Sequence, residues 1–217
     1  MRKMQATATQ YLKDNLSLYV FTSVLFIIGV IFGAIVVGAL APAQSASLGD
    51  ALDGFFRALT LNETGTTPNE ITWQAAASVL KMVGLMWILG LSIIGLPVIV
   101  ILIFVKGFKI GFSVGVIVSQ FHGKGLLFAL AAILPQNLIY VPALIICGVA
   151  GISFSLMLVR SRFHHQPMRG GTAGTLLYRN FLSYTGLVAT LCVAMILAAF
   201  IEGYVSPALM RTVIPPL

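Results

Sequence analysis

Few residues of this chain are placed to do chemistry. The most suggestive are consecutive, Pro135, Gln136 and Asn137, and they interrupt an apolar run. A proline removes a backbone donor, and an amide side chain can supply one in its place. At membrane depth a broken backbone is tolerated only where protein or water satisfies it. Two uses follow from this. Gln136 and Asn137 hydrogen-bond carbonyls freed at a helix break, or they line a polar cavity for a substrate or ion, as discontinuous helices do in transporters. The other reactive groups are poorly arranged. His164 and His165 are adjacent and face different sides, with no carboxylate or cysteine beside them to complete a metal site. Cys147 and Cys192 lie in apolar segments, without ligand spacing or a disulfide framework. The serines lack a partnered His and Asp, and neither a phosphate-binding nor a dinucleotide glycine pattern occurs. The apolar segments hold no carboxylate for a proton relay; Glu202, just beyond the last of them, is nearest. Enzymatic activity is therefore not expected, and no catalytic, cofactor or metal site is assigned.

Composition decides what carries these residues. Of 217 residues, 59% are hydrophobic and 9% charged. Soluble domains hold roughly 45–50% and 25% respectively. The expected fold class is an all-α integral membrane protein, one polytopic domain with about five transmembrane helices. The net charge of +7 then reports mainly which loops stay in the cytoplasm. No basic run is interleaved with aromatics, so nucleic acid is not an expected partner, whereas membrane lipid is.

The first span is expected over 19–40, where Gly29 and Gly33 form a small-x-x-x-small pair for close helix approach. An outer loop follows over 41–78. Within it Leu48, Leu52, Phe55, Phe56 and Leu59 fall on one helical face. That amphipathic helix either lies on the bilayer or docks a partner, with Asp53, Phe55 and Phe56 as the candidate contact. A second span is expected over 80–105, with Pro97 as a kink or hinge inside it. Lys106 and Lys109 should then end that span at the cytoplasmic face.

Gly107, Gly111 and Gly115 continue the small-residue spacing through Ser119 and Gly123. This glycine-rich ridge packs on the chain's own helices or forms a homodimer seam. The third crossing, 108–134, is either one long span or a short span followed by a re-entrant half-helix over 126–134. Lys124 at the bilayer centre would cost about 2.5–3.5 kcal/mol, which favours the broken form. The return span is placed at 138–159, with Pro142 in its first turns, and the last span at 181–200 after a cytoplasmic loop over 160–180. Arg2, Lys3, Lys13, Lys106, Lys109, Arg160, Arg162, Arg169 and Arg179 all fall on one side of this topology. That bias puts the N-terminus in the cytoplasm and the C-terminus outside.

Three stretches also carry a family resemblance: IIGVIFGAIVVGAL in the first span, WILGLSIIGLPVIVILIFVKGFKIGFSVG at 87–115, and HGKGLLFALAAILPQNLIYVPALII at 122–146. In combination they resemble the stage II sporulation protein M family of endospore-forming bacteria. Relatives outside sporulation often carry a glutamate around the Leu-Pro break, where this chain has Gln136, Asn137 and Tyr140. The resemblance implies a non-enzymatic membrane scaffold that acts during engulfment, in the mother-cell and septal membrane. It also implies two peptidoglycan-degrading partners, stage II sporulation proteins P and D. The alternative kept beside it is a small-molecule or lipid permease with its polar site at Pro135–Asn137.

Overall fold

The structure is a computed structural model. It describes residues 15–40, 44, 46–50, 54, 68–163 and 172–213. Four long helices hold almost all of them: α1 (Leu16–Gly38), α2 (Pro68–Gly90), α3 (Gly95–Phe163) and α4 (Thr172–Val213). Five segments within them are long and apolar enough to cross a membrane: Leu16–Gly38, Trp73–Gly90, Gly95–Ser119, Asn137–Val159 and Tyr178–Phe200. The protein is an all-α, multi-pass membrane protein. Of the outer loop, residues 46–50 are helical, while Asp53, Phe55 and Phe56 lie outside the described residues.

The five segments come from four helices because α3 doubles back. Its backbone is helical throughout, and a straight helix would hold Lys106 and Tyr140 about 50 Å apart. Instead the Lys106 ammonium lies 5.0 Å from the centre of the Tyr140 ring. Gly151 packs on Ile99, and Gly148 packs on Ile103. These pairs are all centred within residues 123–126, so the two arms are antiparallel and the axis reverses there. Gly123 and Gly125 bracket Lys124 at that place. Residues 126–134 accordingly begin the returning arm and do not form a re-entrant half-helix. Pro135 and Pro142 stand inside that arm without ending it.

The real interruption comes earlier. Helix α2 stops at Gly90, and Leu91–Ile94 form a tight turn in which Gly95 N–H donates to Ser92 O at 3.1 Å. The Ser155 hydroxyl also donates to Ser92 O, at 2.5 Å, so a carbonyl freed by the turn keeps a partner inside the bundle. Pro97 is therefore the third residue of α3. In a first helical turn the N–H it lacks would have had no intrahelical acceptor. The second span does not run on to 105, and Pro97 does not kink it.

Packing is closest between α1 and the first arm of α3, which run parallel. A Cβ on Gly29 would lie 2.5 Å from Phe104 O. One on Gly33 would meet Phe108 O, one on Gly107 Phe26 O and one on Gly111 Val30 O, while Gly115 faces Ala34 and Val37. The glycine ridge is thus covered by the chain's own first helix. Helix α4 closes the other side. Trp87 Nε1 donates to Thr185 Oγ1 at 3.2 Å, and the Tyr184 hydroxyl lies 3.3 Å from the carbonyls of both Met86 and Trp87. Met86, Ile99, Ile103, Leu144, Cys147 and Met195 fill the centre and are fully buried.

Candidate functional site

Lys106 and Lys109 sit three residues apart in the first arm of α3, so they share a face. The register of α1 fixes their depth. Gly107 meets Phe26 and Gly111 meets Val30, which puts the two lysines level with residues 25–28, in the middle of Leu16–Gly38. The lysines lie inside a span and do not terminate one. Two of the cationic residues assigned above to the cytoplasmic face thereby move to membrane depth. Ionisable groups at such depth are rare and mark functional positions.

Both lysines line a cavity of about 290 Å³. Its other polar walls are Ser78 from α2, Ser113 from the first arm of α3, and Asn137 and Tyr140 from the returning arm. Ala75, Val79, Ile110, Ile133, Ala198 and Ala199 supply the apolar walls. Ala75 and Ser78 lie in the first half of α2, and Ala198 and Ala199 in the second half of α4, at the ends of these helices away from the Leu91–Ile94 turn. The cavity therefore occupies the half of the apolar slab that lies away from the N-terminal end of α1. Lys106 is half-buried, whereas Lys109, Ser78 and Ser113 are exposed, so the cavity opens on the side of the bundle.

The polar groups fall into two states. Asn137 Nδ2 donates to Ile133 O at 2.7 Å, one turn back on its own helix; this is not the carbonyl of residue 131 that Pro135 deprives of a donor, and Asn137 also lines the cavity. The side chain of Gln136 lies outside the described residues. Tyr140 offers its ring to Lys106, an attraction of about 0.5–2 kcal/mol, while its buried hydroxyl has no hydrogen-bond partner among the described residues. None of the five spans contains Asp or Glu. Glu70 and Glu202 stand about one turn further out along α2 and α4.

Among the other sequence-predicted residues, the structure gathers Gly29, Gly33, Gly107, Gly111 and Gly115 into one intramolecular seam. Pro97 and Pro142 take no part in the cavity. His164 and His165 lie outside the described residues, and among those described no cluster of His, Cys, Asp and Glu could hold a metal ion. Lys106 and Lys109 were the residues that sequence reasoning misplaced. The signal that locates them was present, because a ridge starting at Gly107 can meet Gly29 and Gly33 only deep in the membrane.

No curated protein and no solved structure matches the chain. A family model described as stage II sporulation protein M matches residues 22–207, from the first span to beyond the last. The match runs through the glycine seam, the doubled α3 and the lysine cavity alike, and the chain belongs to the stage II sporulation protein M family, a family of sporulation membrane proteins.

Proposed function

We propose that the chain is a non-enzymatic scaffold of the engulfment peptidoglycan-remodelling complex, and that it positions the hydrolases stage II sporulation proteins P and D at the septal membrane. The observation that carries this is the family match over residues 22–207. The bundle suits the role: it buries one helical core, and five of its segments are long and apolar enough to cross a membrane. Arg2, Lys3, Lys13, Arg160, Arg162, Arg169 and Arg179 flank the spans on one side even after Lys106 and Lys109 are withdrawn from the count. That bias supports a cytoplasmic N-terminus and an extracytoplasmic C-terminus. The test is capture of each hydrolase from solubilised membranes by the tagged chain. Replacing Asp53, Phe55 and Phe56 together by alanine should cut recovery about tenfold, as loss of a contact worth 1–2 kcal/mol would. Undiminished recovery contradicts the contact, and no recovery by the parent chain contradicts the scaffold.

One observation, the polar cavity at Asn137, favours a second reading as a permease. On that reading Asn137→Leu blocks sporulation while complex assembly stays intact. Equal loss of both would favour a structural role for the amide.

A further inference from the structure

We infer that the cavity between α2, the two arms of α3 and α4 binds the phosphate headgroup of a membrane amphiphile. The inference rests on the cavity alone and stands apart from the recruitment of hydrolases.

The charge comes first. Two ammonium groups at membrane depth are costly unless compensated, and among the described residues that line the cavity none carries a carboxylate. Among the described residues, the interaction shown at Lys106 is with the neutral ring of Tyr140. A phosphomonoester carries about −1.5 to −2 charges and three strong acceptor oxygens, which matches two lysines in sign and number. Lysine binds phosphate as a point charge, where arginine would bind it as a planar, bidentate fork.

Hydrogen bonding points the same way. A bound phosphate brings acceptors, and the cavity offers donors. These are the two ammoniums and the hydroxyls of Ser78 and Ser113; Tyr140 also lines the cavity, and its hydroxyl, buried behind that wall, lacks a partner among the described residues. A buried polar group left unsatisfied is costly enough to call for an explanation. An oxyanion in the cavity toward which the Tyr140 hydroxyl turns supplies one.

Position selects the source. The cavity opens at Lys109, Ser113 and Ser78, which are exposed on the side of the bundle at a depth where the surroundings are acyl chains. Next to it, Leu80, Ile101, Val105 and Ile139 are exposed and apolar. A ligand arriving laterally there has a polar head for the cavity and a tail for that surface. About 290 Å³ exceeds what one carboxylate side chain from a neighbouring helix would fill, and is enough for a phosphate with its first ester substituent.

The full chain, purified in a neutral detergent, is titrated with dioleoyl phosphatidic acid, dioleoyl phosphatidylcholine, oleate and inorganic phosphate, and bound lipid is counted by native mass spectrometry. Phosphatidic acid should bind at one per chain and phosphatidylcholine and oleate more weakly. The Lys106→Gln, Lys109→Gln double variant should lose about thirtyfold or more in phosphatidic acid affinity, and the double arginine variant should restore most of it. Thermal unfolding of each variant separates loss of binding from loss of fold. If the glutamine variant unfolds, Tyr140→Phe, which keeps the ring over Lys106, should still weaken binding severalfold. Equal binding of phosphatidylcholine or oleate, unchanged affinity in the folded glutamine variant, or displacement of the lipid by inorganic phosphate at comparable concentration would each overturn the assignment.

Discussion

Replacing Gly111 by leucine should lower the stability of the bundle by about 3 kcal/mol or more, close to the upper range for overpacking. A Cβ at this position would already run into the carbonyl of Val30, and backbone cannot give way as a flexible side chain can. Without a hydrophobic driving force between helices in lipid, close approach through small residues is much of what holds α1 to α3. Forcing the two apart also opens the neighbouring contacts of Gly29 with Phe104 and Gly107 with Phe26. The check is the melting temperature of the detergent-solubilised chain, read as loss of the monodisperse peak on size-exclusion chromatography. Gly84 is the control, because a Cβ there meets nothing within 4 Å. Gly84→Ala should be neutral or stabilising by up to about 1 kcal/mol, the difference in helix propensity. Had the ridge been a dimer seam, Gly111→Leu would instead halve the mass and leave the melting temperature of the monomer unchanged.

Tyr184→Ala should cost about 3 kcal/mol, within the range for removing a buried aromatic ring. The ring is buried and stacks on Phe154, with centroids 4.9 Å apart and planes 9° from parallel. Its hydroxyl reaches the carbonyls of Met86 and Trp87 in the last turn of α2, close to Gly90. One side chain thus joins α2, the returning arm of α3 and α4. Tyr184→Phe keeps the stacking and removes only the hydroxyl, so it should cost about 1 kcal/mol. The same melting assay measures both, and a phenylalanine variant as unstable as the alanine variant would mean that the hydroxyl contributes far more than the ring.

The membrane class was legible because mean hydropathy does not depend on partners. The glycines were legible as a set, since their spacing is local, yet their partner was not: four-residue spacing on Gly107, Gly111 and Gly115 fits a second copy as well as it fits α1. The misplaced boundary at 105 has a physical cause. Pro97 reads as a kink if the helix begins before it, and as a first-turn residue if the helix begins at Gly95. The turn at Leu91–Ile94 that decides between them has only Ser92 as a turn-favouring residue among three aliphatics, so its signal is confined to Ser92 and the flanking Gly90 and Gly95. Besides its own backbone bonds, it is held by Ser155, sixty-three residues away. Lys106 and Lys109 followed that boundary, because lysines after an apolar run look like its end. Asn137 stands out in the sequence as a polar residue in an apolar run, but the cavity around it depends on the antiparallel return of α3, which no local pattern encodes.

The depth of the two lysines is what the cavity depends on, and it can be measured directly. In a chain with Cys147 and Cys192 replaced by alanine, Lys109→Cys is exposed in turn to a charged, membrane-impermeant maleimide on each side of sealed vesicles, with Arg162→Cys as the reference for the side that carries the basic loop. The structure predicts that Lys109→Cys resists labelling from the side on which Arg162→Cys reacts. Labelling of both from that side at equal rates would return Lys106 and Lys109 to a cytoplasmic loop and contradict the site.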